Sequence, residues 1–272
     1  MKSKEKYFEE IKTYKILANK LLGQNFLINP IFAENIVEKL DIFDKDNVLE
    51  IGAGLGSLSY FLVQKKAHTT LIDIDERMLS FLNNNYGEEK NVIIKRMNVL
   101  KEDLSTYNKI IGNLPYYITS SIIEHILLNA TSAEKIVLMT QKEVYPKLLK
   151  NFKSPLSLLL NYVCDISSPI NVSRNNFSPV PHVDSVVFIL TPNSNIKLSE
   201  NKELYKLISQ LFLYRRKTIL NCLTSLVKNK ETAMRIIQNL GVDINLRPEQ
   251  LDINFYISLL KQLKIENDKS KI

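Results

Sequence analysis

An apolar segment that runs into a glycine turn, followed by a second apolar segment, constrains the fold of this chain most. Residues 48–51 read as a buried strand, and glycines follow at three alternate positions, Gly52, Gly54 and Gly56. After a predicted helix (58–66), a second predicted strand ends at Asp73, 21 residues past the first glycine (73 − 52). Glycines admit a ligand close to the backbone, and an acidic residue at this point accepts hydrogen bonds from ribose. The unit predicts a cofactor such as NAD, FAD or S-adenosylmethionine, and the Gly-x-Gly-x-Gly spacing disfavours a dinucleotide.

A four-residue string after a later apolar run has the composition of a clamp for a planar amine, Asn113-Leu114-Pro115-Tyr116. The Asn113 side-chain oxygen and the Leu114 carbonyl can accept both hydrogens of an exocyclic amine, while Tyr116 stacks on its ring. Two fixed acceptors favour a pyramidal nitrogen with its lone pair turned outward. The same string could be an ordinary strand-to-helix turn. Together, the clamp and the ribose carboxylate favour S-adenosylmethionine and the methylation of adenine or a similar base.

Strands and helices alternate between residues 48 and 150, which predicts a parallel sheet covered by helices on both faces. Binding residues are then expected at the carboxyl ends of the strands, where Gly52, Asp73, Asn98 and Asn113 fall. A late strand at 186–190 precedes a segment with helical periodicity. We predict an N-terminal segment (1–28), an α/β domain (29–192) and a small helical domain (196–272).

The composition is that of a globular protein, and its positive net charge is compatible with binding to a polyanion. The 272 residues are 45% hydrophobic and carry a net charge of +7, but contain no run long enough to cross a membrane. The N-terminal segment mixes Lys with Glu and lacks a secretory signal; we expect a solubilising tail rather than an RNA-binding arm. Two cysteines and three scattered histidines predict no disulfide framework and no metal site. These observations predict a cytoplasmic protein.

With these motifs, four further strings resemble the KsgA-type rRNA adenine dimethyltransferases, relatives of the erythromycin-resistance (Erm) methyltransferases. The resemblance covers nearly the whole chain, and the joint occurrence of the strings in order makes it specific. In chain order they are Leu22-Gly23-Gln24-Asn25-Phe26-Leu27, then Phe177-Ser178-Pro179-Val180-Pro181 with Val183-Asp184-Ser185, then Arg215-Arg216-Lys217-Thr218-Ile219 and Leu246-Arg247-Pro248-Glu249-Gln250-Leu251.

The resemblance implies a Rossmann-like S-adenosylmethionine-dependent methyltransferase sheet, mostly parallel with one antiparallel strand, and a small C-terminal all-helical domain. It also implies roles for individual residues around the cofactor and the target base. Asn25 and Leu27 cover the methionine end of the cofactor, and the turn of Gly52, Gly54 and Gly56 lies beneath it. Asp73 takes the ribose, Asn98 the adenine edge, and Asn113 faces the methyl group and the target. Phe177 is expected to stack on the target base opposite Tyr116.

Two positions depart from the family pattern. Asn98 stands where the family usually has Asp, which predicts weaker cofactor binding because a neutral amide is the poorer acceptor. Asp73 stands where the family mostly has Glu, and we expect the site to tolerate the shorter side chain. Neither departure touches the clamp.

By this resemblance the chain dimethylates the N6 amine of two adjacent adenosines in a hairpin loop near the 3′ end of small-subunit rRNA. It would act as a monomer on a pre-30S-type particle. Arg215, Arg216 and Lys217 are candidate RNA phosphate contacts, although a basic run is equally consistent with a solvated helix face. The alternatives are an Erm-like enzyme of the large subunit, an assembly factor that uses S-adenosylmethionine weakly, and an NAD-dependent oxidoreductase. The last is disfavoured because it has no use for the clamp.

Overall fold

The structure, a computed structural model, describes residues 2–14, 24–193 and 201–269, with side chains of the last helix to residue 266. The described helices are α1 (Lys4–Thr13), α2 (Pro30–Glu38), α3 (Ser59–Val63), α4 (Glu76–Tyr86), α5 (Thr119–Asn129), α6 (Tyr145–Leu148), α7 (Pro155–Val163), α8 (Asn201–Phe212), α9 (Ile219–Val227), α10 (Lys230–Asn239) and α11 (Ile253–Lys269). The described strands are β1 (Phe26–Leu27), β2 (Asn47–Ile51), β3 (His68–Asp73), β4 (Val92–Arg96), β5 (Lys109–Asn113), β6 (Lys135–Gln141), β7 (Cys164–Ile166), β8 (Ile170–Val172), β9 (Phe177–Ser178) and β10 (Ser185–Pro192).

The main sheet has the strand order β4-β3-β2-β5-β6-β10-β7, and β8 also pairs with β10. From β4 to β6 every neighbouring pair is parallel, whereas β10 runs antiparallel to β6, β7 and β8. Among the described strands of this sheet, β10 is therefore the single one that runs against the others. This confirms the predicted mostly parallel sheet with one antiparallel strand.

Local sequence explains why the central strands and the first helix of this sheet form where they do. After their first residue, β2 and β3 are buried or nearly so along their whole length, as expected for strands covered on both faces. Helix α2 begins after Asn29, whose side-chain oxygen accepts hydrogen bonds from the Ile31 and Phe32 backbone N–H groups, and Pro30 occupies its first turn. The order of the strands reverses at β2. The chain adds β3 and β4 on one side of β2 and then returns to add β5 on the other side. This reversal opens a crevice at the carboxyl ends of β2 and β5.

The described residues form two compact units. The first contains the sheet and takes in residues up to 146 together with 164–193; the second is helical and takes in 147–163 and 201–269. The boundaries predicted at 28, 192 and 196 place α7 with the sheet, whereas its contacts with α8 and α11 place it in the helical unit. Its buried leucines, among them Leu159 and Leu160, supply the apolar face that makes those contacts.

Over residues 2–14 the N-terminal segment is not the solubilising tail that its lysines suggested, whereas Lys15 and Lys20 of that segment lie outside the described residues. Residues Lys4–Thr13 form α1, and Tyr7, Phe8 and Ile11 on its inner face are at most 3% exposed within the core of the sheet unit. The lysines lie on the opposite, solvent-facing side of α1. The helix is therefore amphipathic, which a count of its charged residues does not reveal. None of the helices within the described ranges combines the length and apolar character needed to span a membrane.

Candidate functional site

A cavity of about 320 Å³ opens at the carboxyl ends of β2, β3 and β5. This volume lies within the range of small-ligand sites. The cavity brings together most of the residues predicted for the site, although they are far apart in sequence. They are Asn25, Leu27, Gly52, Gly54, Asp73, Asn98, Asn113, Leu114, Pro115 and Tyr116.

The glycine turn is bonded directly to the ribose carboxylate predicted at Asp73. The Gly54 N–H donates to one carboxylate oxygen of Asp73 and the Asp75 N–H to the other, both at 2.9 Å. Gly54 has φ +56°, in the left-handed region that glycine tolerates best, and an added Cβ would lie 3.2 Å from the Phe26 ring. Burial raises the pKa of Asp73, and the backbone N–H groups oppose that shift. The carboxylate thus keeps lone pairs for a ligand while it holds the turn in place.

Two side chains tie the segment 24–27 over the same turn. The Gln24 amide donates to the Asp75 carboxylate at 2.9 Å, and the Ser57 hydroxyl donates to the Leu27 carbonyl. The Arg77 guanidinium beside Asp75, followed by the Gln24 amide, lowers the pKa of Asp75 to about 2. Gln24, Asn25 and Leu27 are therefore positioned at the cavity, whereas Leu22 and Gly23 of the same string lie outside the described residues.

Asn98 stands at the rim of the cavity and begins a short 3-10 turn. Its side-chain oxygen accepts from the Leu100 backbone N–H at 3.1 Å. An aspartate at this position would be able to make the same capping bond. The remaining lone pair of this oxygen is the acceptor left for an adenine amine.

The Asn113 amide has a defined orientation. Its Nδ2 donates to the Asn25 carbonyl at 3.1 Å, so the amide oxygen is turned away from that contact and stays an acceptor. The Leu114 N–H donates to the Met139 carbonyl at 2.9 Å, which fixes the following peptide. Within the part of the chain that the structure describes, no backbone N–H occupies the Leu114 carbonyl. Two acceptors are thus available at the end of β5.

Tyr116 is held by both its hydroxyl and its backbone neighbours. The hydroxyl lies 3.3 Å from the Ser185 hydroxyl on β10, and the Thr119 hydroxyl donates to the Pro115 carbonyl at 3.0 Å. Burial raises the pKa of Tyr116, and the Ser185 hydrogen bond opposes this. The phenol stays neutral at physiological pH, as a stacking platform requires.

Two predicted site residues of the sheet unit do not line the cavity. Phe177 on β9 is 1% exposed, packs in the hydrophobic core and does not line the cavity. It has no face open to a base, so this conformation does not provide the stacking role predicted for it. Gly56 closes the glycine turn but also does not line the cavity.

Among the cavity-lining residues that the sequence reasoning missed, two are exposed. Tyr117 is 58% exposed and follows the clamp directly, and Ile74 is 43% exposed and follows Asp73. Only their position in the sequence could have indicated a place in the site, because each directly follows a residue that was predicted to belong to it.

The predicted RNA contacts belong to the helical unit. Arg215, Arg216 and Lys217 are exposed in the turn between α8 and α9. The Lys217 ammonium lies 4.9 Å from the centroid of the Tyr214 ring, and the neighbouring Leu213 is 78% exposed. Basic and aromatic groups therefore stand together on an open turn, as in many nucleic-acid contacts.

Comparison with known proteins agrees with this geometry. The family model of the ribosomal RNA adenine dimethylases matches residues 16–264. Proteins named ribosomal RNA small subunit methyltransferase A from Mycoplasma capricolum subsp. capricolum and Alkaliphilus metalliredigens are 35% and 33% identical. The first match covers 92% of this chain and 99% of the Mycoplasma protein. The second covers 93% of this chain and 94% of the Alkaliphilus protein.

A solved structure agrees as well. The crystal structure of a dimethyladenosine transferase from Plasmodium falciparum is similar with a TM-score of 0.75 at 26% identity, over 88% of this chain and 97% of that one. These findings confirm the predicted fold, enzyme class and S-adenosylmethionine dependence. They also exclude the NAD-dependent oxidoreductase, and the chain belongs to the ribosomal RNA adenine dimethylase family.

Proposed function

We propose that this chain transfers methyl groups from S-adenosylmethionine to the N6 amines of two adjacent adenosines in a hairpin loop near the 3′ end of small-subunit rRNA. Family membership supports the reaction, and the names of the relatives, which cover almost the whole chain, support the small subunit. The proposal extends to a pre-30S-type particle as substrate, to a monomeric enzyme whose RNA-binding face stays open, and to a cytoplasmic location.

The orientation of the Asn113 amide is the observation that carries the proposal. Because Nδ2 is committed to the Asn25 carbonyl, the oxygen is the end of the amide available to a substrate amine. With the Leu114 carbonyl it can accept both hydrogens of an adenine N6 amine. A side chain with the opposite orientation would present a donor to this amine and would repel it.

The residues of the cavity fit the cofactor. Asp73 offers a carboxylate to ribose hydroxyls, Asn98 offers an amide oxygen to an adenine amine, and Gly54 leaves the turn without a side chain. The apolar side chain of Ile74 lies beside them for an adenine face. When bound there, S-adenosylmethionine supplies an activated methyl group on a positively charged sulfur.

The chain's own residues contribute alignment and electrostatics. The acceptors at Asn113 and Leu114 draw the two amine hydrogens to one side and turn the nitrogen lone pair away from them. Tyr116 holds the base plane through its braced ring. No general base is needed, because the nitrogen becomes acidic only after it has gained the methyl group and then releases its proton to water. After the first transfer one hydrogen remains, so either acceptor can hold the amine for the second.

The target adenosine must leave its stack to reach a clamp of this kind, which favours a loop nucleotide. Tyr117 offers an open aromatic ring at the mouth of the cavity. Arg215, Arg216 and Lys217 supply positive charge to RNA phosphates from the helical unit.

The test is methyl transfer from labelled S-adenosylmethionine into undermethylated small and large ribosomal subunits, with digestion and nucleoside analysis. Wild-type protein is compared with Asn113→Ala and with Asn91→Ala. Asn91 is the matched control because its Nδ2 also donates to a backbone carbonyl, that of Ala67 at 2.9 Å, but it does not line the cavity.

We expect N6,N6-dimethyladenosine in small-subunit rRNA with the wild type and with Asn91→Ala. Loss of the transition-state contact should lower the rate of Asn113→Ala by about 10²- to 10³-fold. Label in the large subunit instead would favour the Erm-like alternative. Binding of RNA without label in either subunit would make an assembly factor the better reading.

A further inference from the structure

Helix α1 packs beneath the cofactor site through an aromatic group centred on Tyr7. The Tyr7 ring lies 4.9 Å from Tyr60, 6.0 Å from Phe81 and 6.0 Å from Tyr86, measured between ring centroids. Tyr7 is 1% exposed, so its hydroxyl needs a partner inside the protein. The partner it finds belongs to the glycine turn.

The Tyr7 hydroxyl donates to the Leu55 carbonyl at 2.9 Å and approaches the Gly56 carbonyl at 3.4 Å. The Leu55 carbonyl and the Gly56 N–H are the two ends of one planar peptide. That N–H donates to the Ala53 carbonyl at 2.8 Å and closes the turn. Tyr7 therefore holds one end of the peptide whose other end sets the turn geometry.

The contact with Tyr7 also explains why position 56 is a glycine. An added Cβ at this position would lie 2.5 Å from the Tyr7 hydroxyl and 3.0 Å from Leu82. Gly56 does not line the cavity, unlike Gly52 and Gly54, so a direct role against the cofactor does not account for it. The close approach of the phenol does, together with its φ of +74°.

We propose that Tyr7 is a positioning residue for S-adenosylmethionine, which fixes the Leu55–Gly56 peptide and so presets the glycine turn on which the cofactor rests. The inference rests on the cofactor of the proposed function and not on its RNA substrate. A turn that must be ordered on binding gives weaker affinity than a preset one. Loss of one buried hydrogen bond corresponds to a change of roughly three- to tenfold in a dissociation constant.

The test compares Tyr7→Phe with Tyr60→Phe in the full-length protein. Both variants keep an aromatic ring in the same group and remove one hydroxyl. The Tyr60 hydroxyl donates to the Lys2 carbonyl at 3.0 Å and makes no hydrogen bond to the turn. The Tyr60 backbone N–H does donate to the Gly56 carbonyl, at 2.9 Å, but Tyr60→Phe keeps that bond. The dissociation constant for S-adenosylmethionine is measured by calorimetry without RNA, and the free energy of unfolding is measured alongside it.

We expect Tyr7→Phe to bind the cofactor three- to tenfold more weakly and Tyr60→Phe to bind as the wild type does, although both lose stability. In the methylation assay, KM for the cofactor should rise in Tyr7→Phe while kcat at saturation stays the same. Equal affinity of Tyr7→Phe and wild type would overturn the proposal, as would equal weakening by Tyr60→Phe. Because the binding assay contains no RNA, a wrong rRNA substrate would leave its result unchanged.

A second experiment asks whether Tyr7 and Gly56 act on one contact. Gly56→Ala is measured alone and together with Tyr7→Phe, since removal of the hydroxyl makes room for the methyl group. The effects of backbone strain at Gly56 and of the Leu82 contact are the same with and without the Tyr7 hydroxyl, so they cancel when the two effects of Gly56→Ala are compared. Gly56→Ala should therefore weaken cofactor binding less in the Tyr7→Phe background. Full additivity would overturn the shared contact.

Discussion

Glu50 is a buried carboxyl on β2 whose ionisation should set how stability depends on pH. Its side chain accepts from the Ser59 hydroxyl at 2.5 Å, and the residue is 2% exposed. Burial raises the pKa of Glu50 from 4.5 to about 8; Ser59 opposes this shift and the nearby Asp73 carboxylate adds to it. Burial raises the pKa of Tyr7 and of Tyr86, and the Glu50 carboxylate adds to both shifts.

The sign follows from proton binding. Below pH 4.5 the folded and the unfolded chain both carry the Glu50 proton; between 4.5 and about 8 the folded chain alone does. Stability from this group is therefore complete at low pH and is lost as pH rises to 8. The pKa values differ by 3.5 (8 − 4.5), and each unit is worth about 1.4 kcal/mol, so the ceiling is ~5 kcal/mol.

Glu50→Gln removes the titration and keeps an oxygen for Ser59. The free energy of unfolding is measured by urea denaturation from pH 5 to 8 for wild type, Glu50→Gln and the exposed control Glu143→Gln. The free energy of unfolding of Glu50→Gln should increase relative to that of the wild type by about 1 kcal/mol per pH unit. The difference between Glu143→Gln and the wild type should stay constant over the same range. A constant difference between Glu50→Gln and wild type across this range would refute a protonated Glu50 in the folded state.

Three further predictions concern the cofactor, the core and RNA. Asn98→Asp should bind S-adenosylmethionine more tightly, because a charged acceptor replaces a neutral one; unchanged affinity in calorimetry would remove that explanation. Phe177→Ala should cost about 3–5 kcal/mol of unfolding free energy, whereas Phe177→Leu should cost less and keep methylation if the ring serves the core. Arg215→Ala with Arg216→Ala should weaken RNA binding and lower its logarithmic salt slope by about two, with cofactor affinity intact; an unchanged slope would place both outside the interface.

The sequence predicted the central sheet well because its strands are continuous apolar runs that end at polar residues. The same property located the site, since Gly52, Asp73 and Asn113 are strand-end residues that parallel packing brings together. Helix α1 was missed because the lysines and glutamates of its outer face outnumber the three buried side chains of its inner face. Strands β1 and β9 have two residues each, too few for any periodicity.

Side-chain burial was the part that motifs could not supply. The resemblance assigned Phe177 a role by its order in the chain, but whether its ring faces a cavity or a core depends on packing from distant elements. The same holds for Tyr7, whose partner at Leu55 is 48 residues away. Contacts of this kind have no local signature in one sequence.

The hydrogen bond between Tyr116 and Ser185 has a consequence for how the protein is made. Ser185 begins β10, which lies between β6 and β7 in the sheet although it is translated after both. Among the described strands β7 pairs with β10 alone, so this part of the sheet cannot be completed beyond β6 until the last strand has been made. A nascent chain that stops short of Ser185 already contains both amine acceptors, but the ring that should hold the base has no brace. Translation order thus delays a complete clamp until most of the chain has left the ribosome.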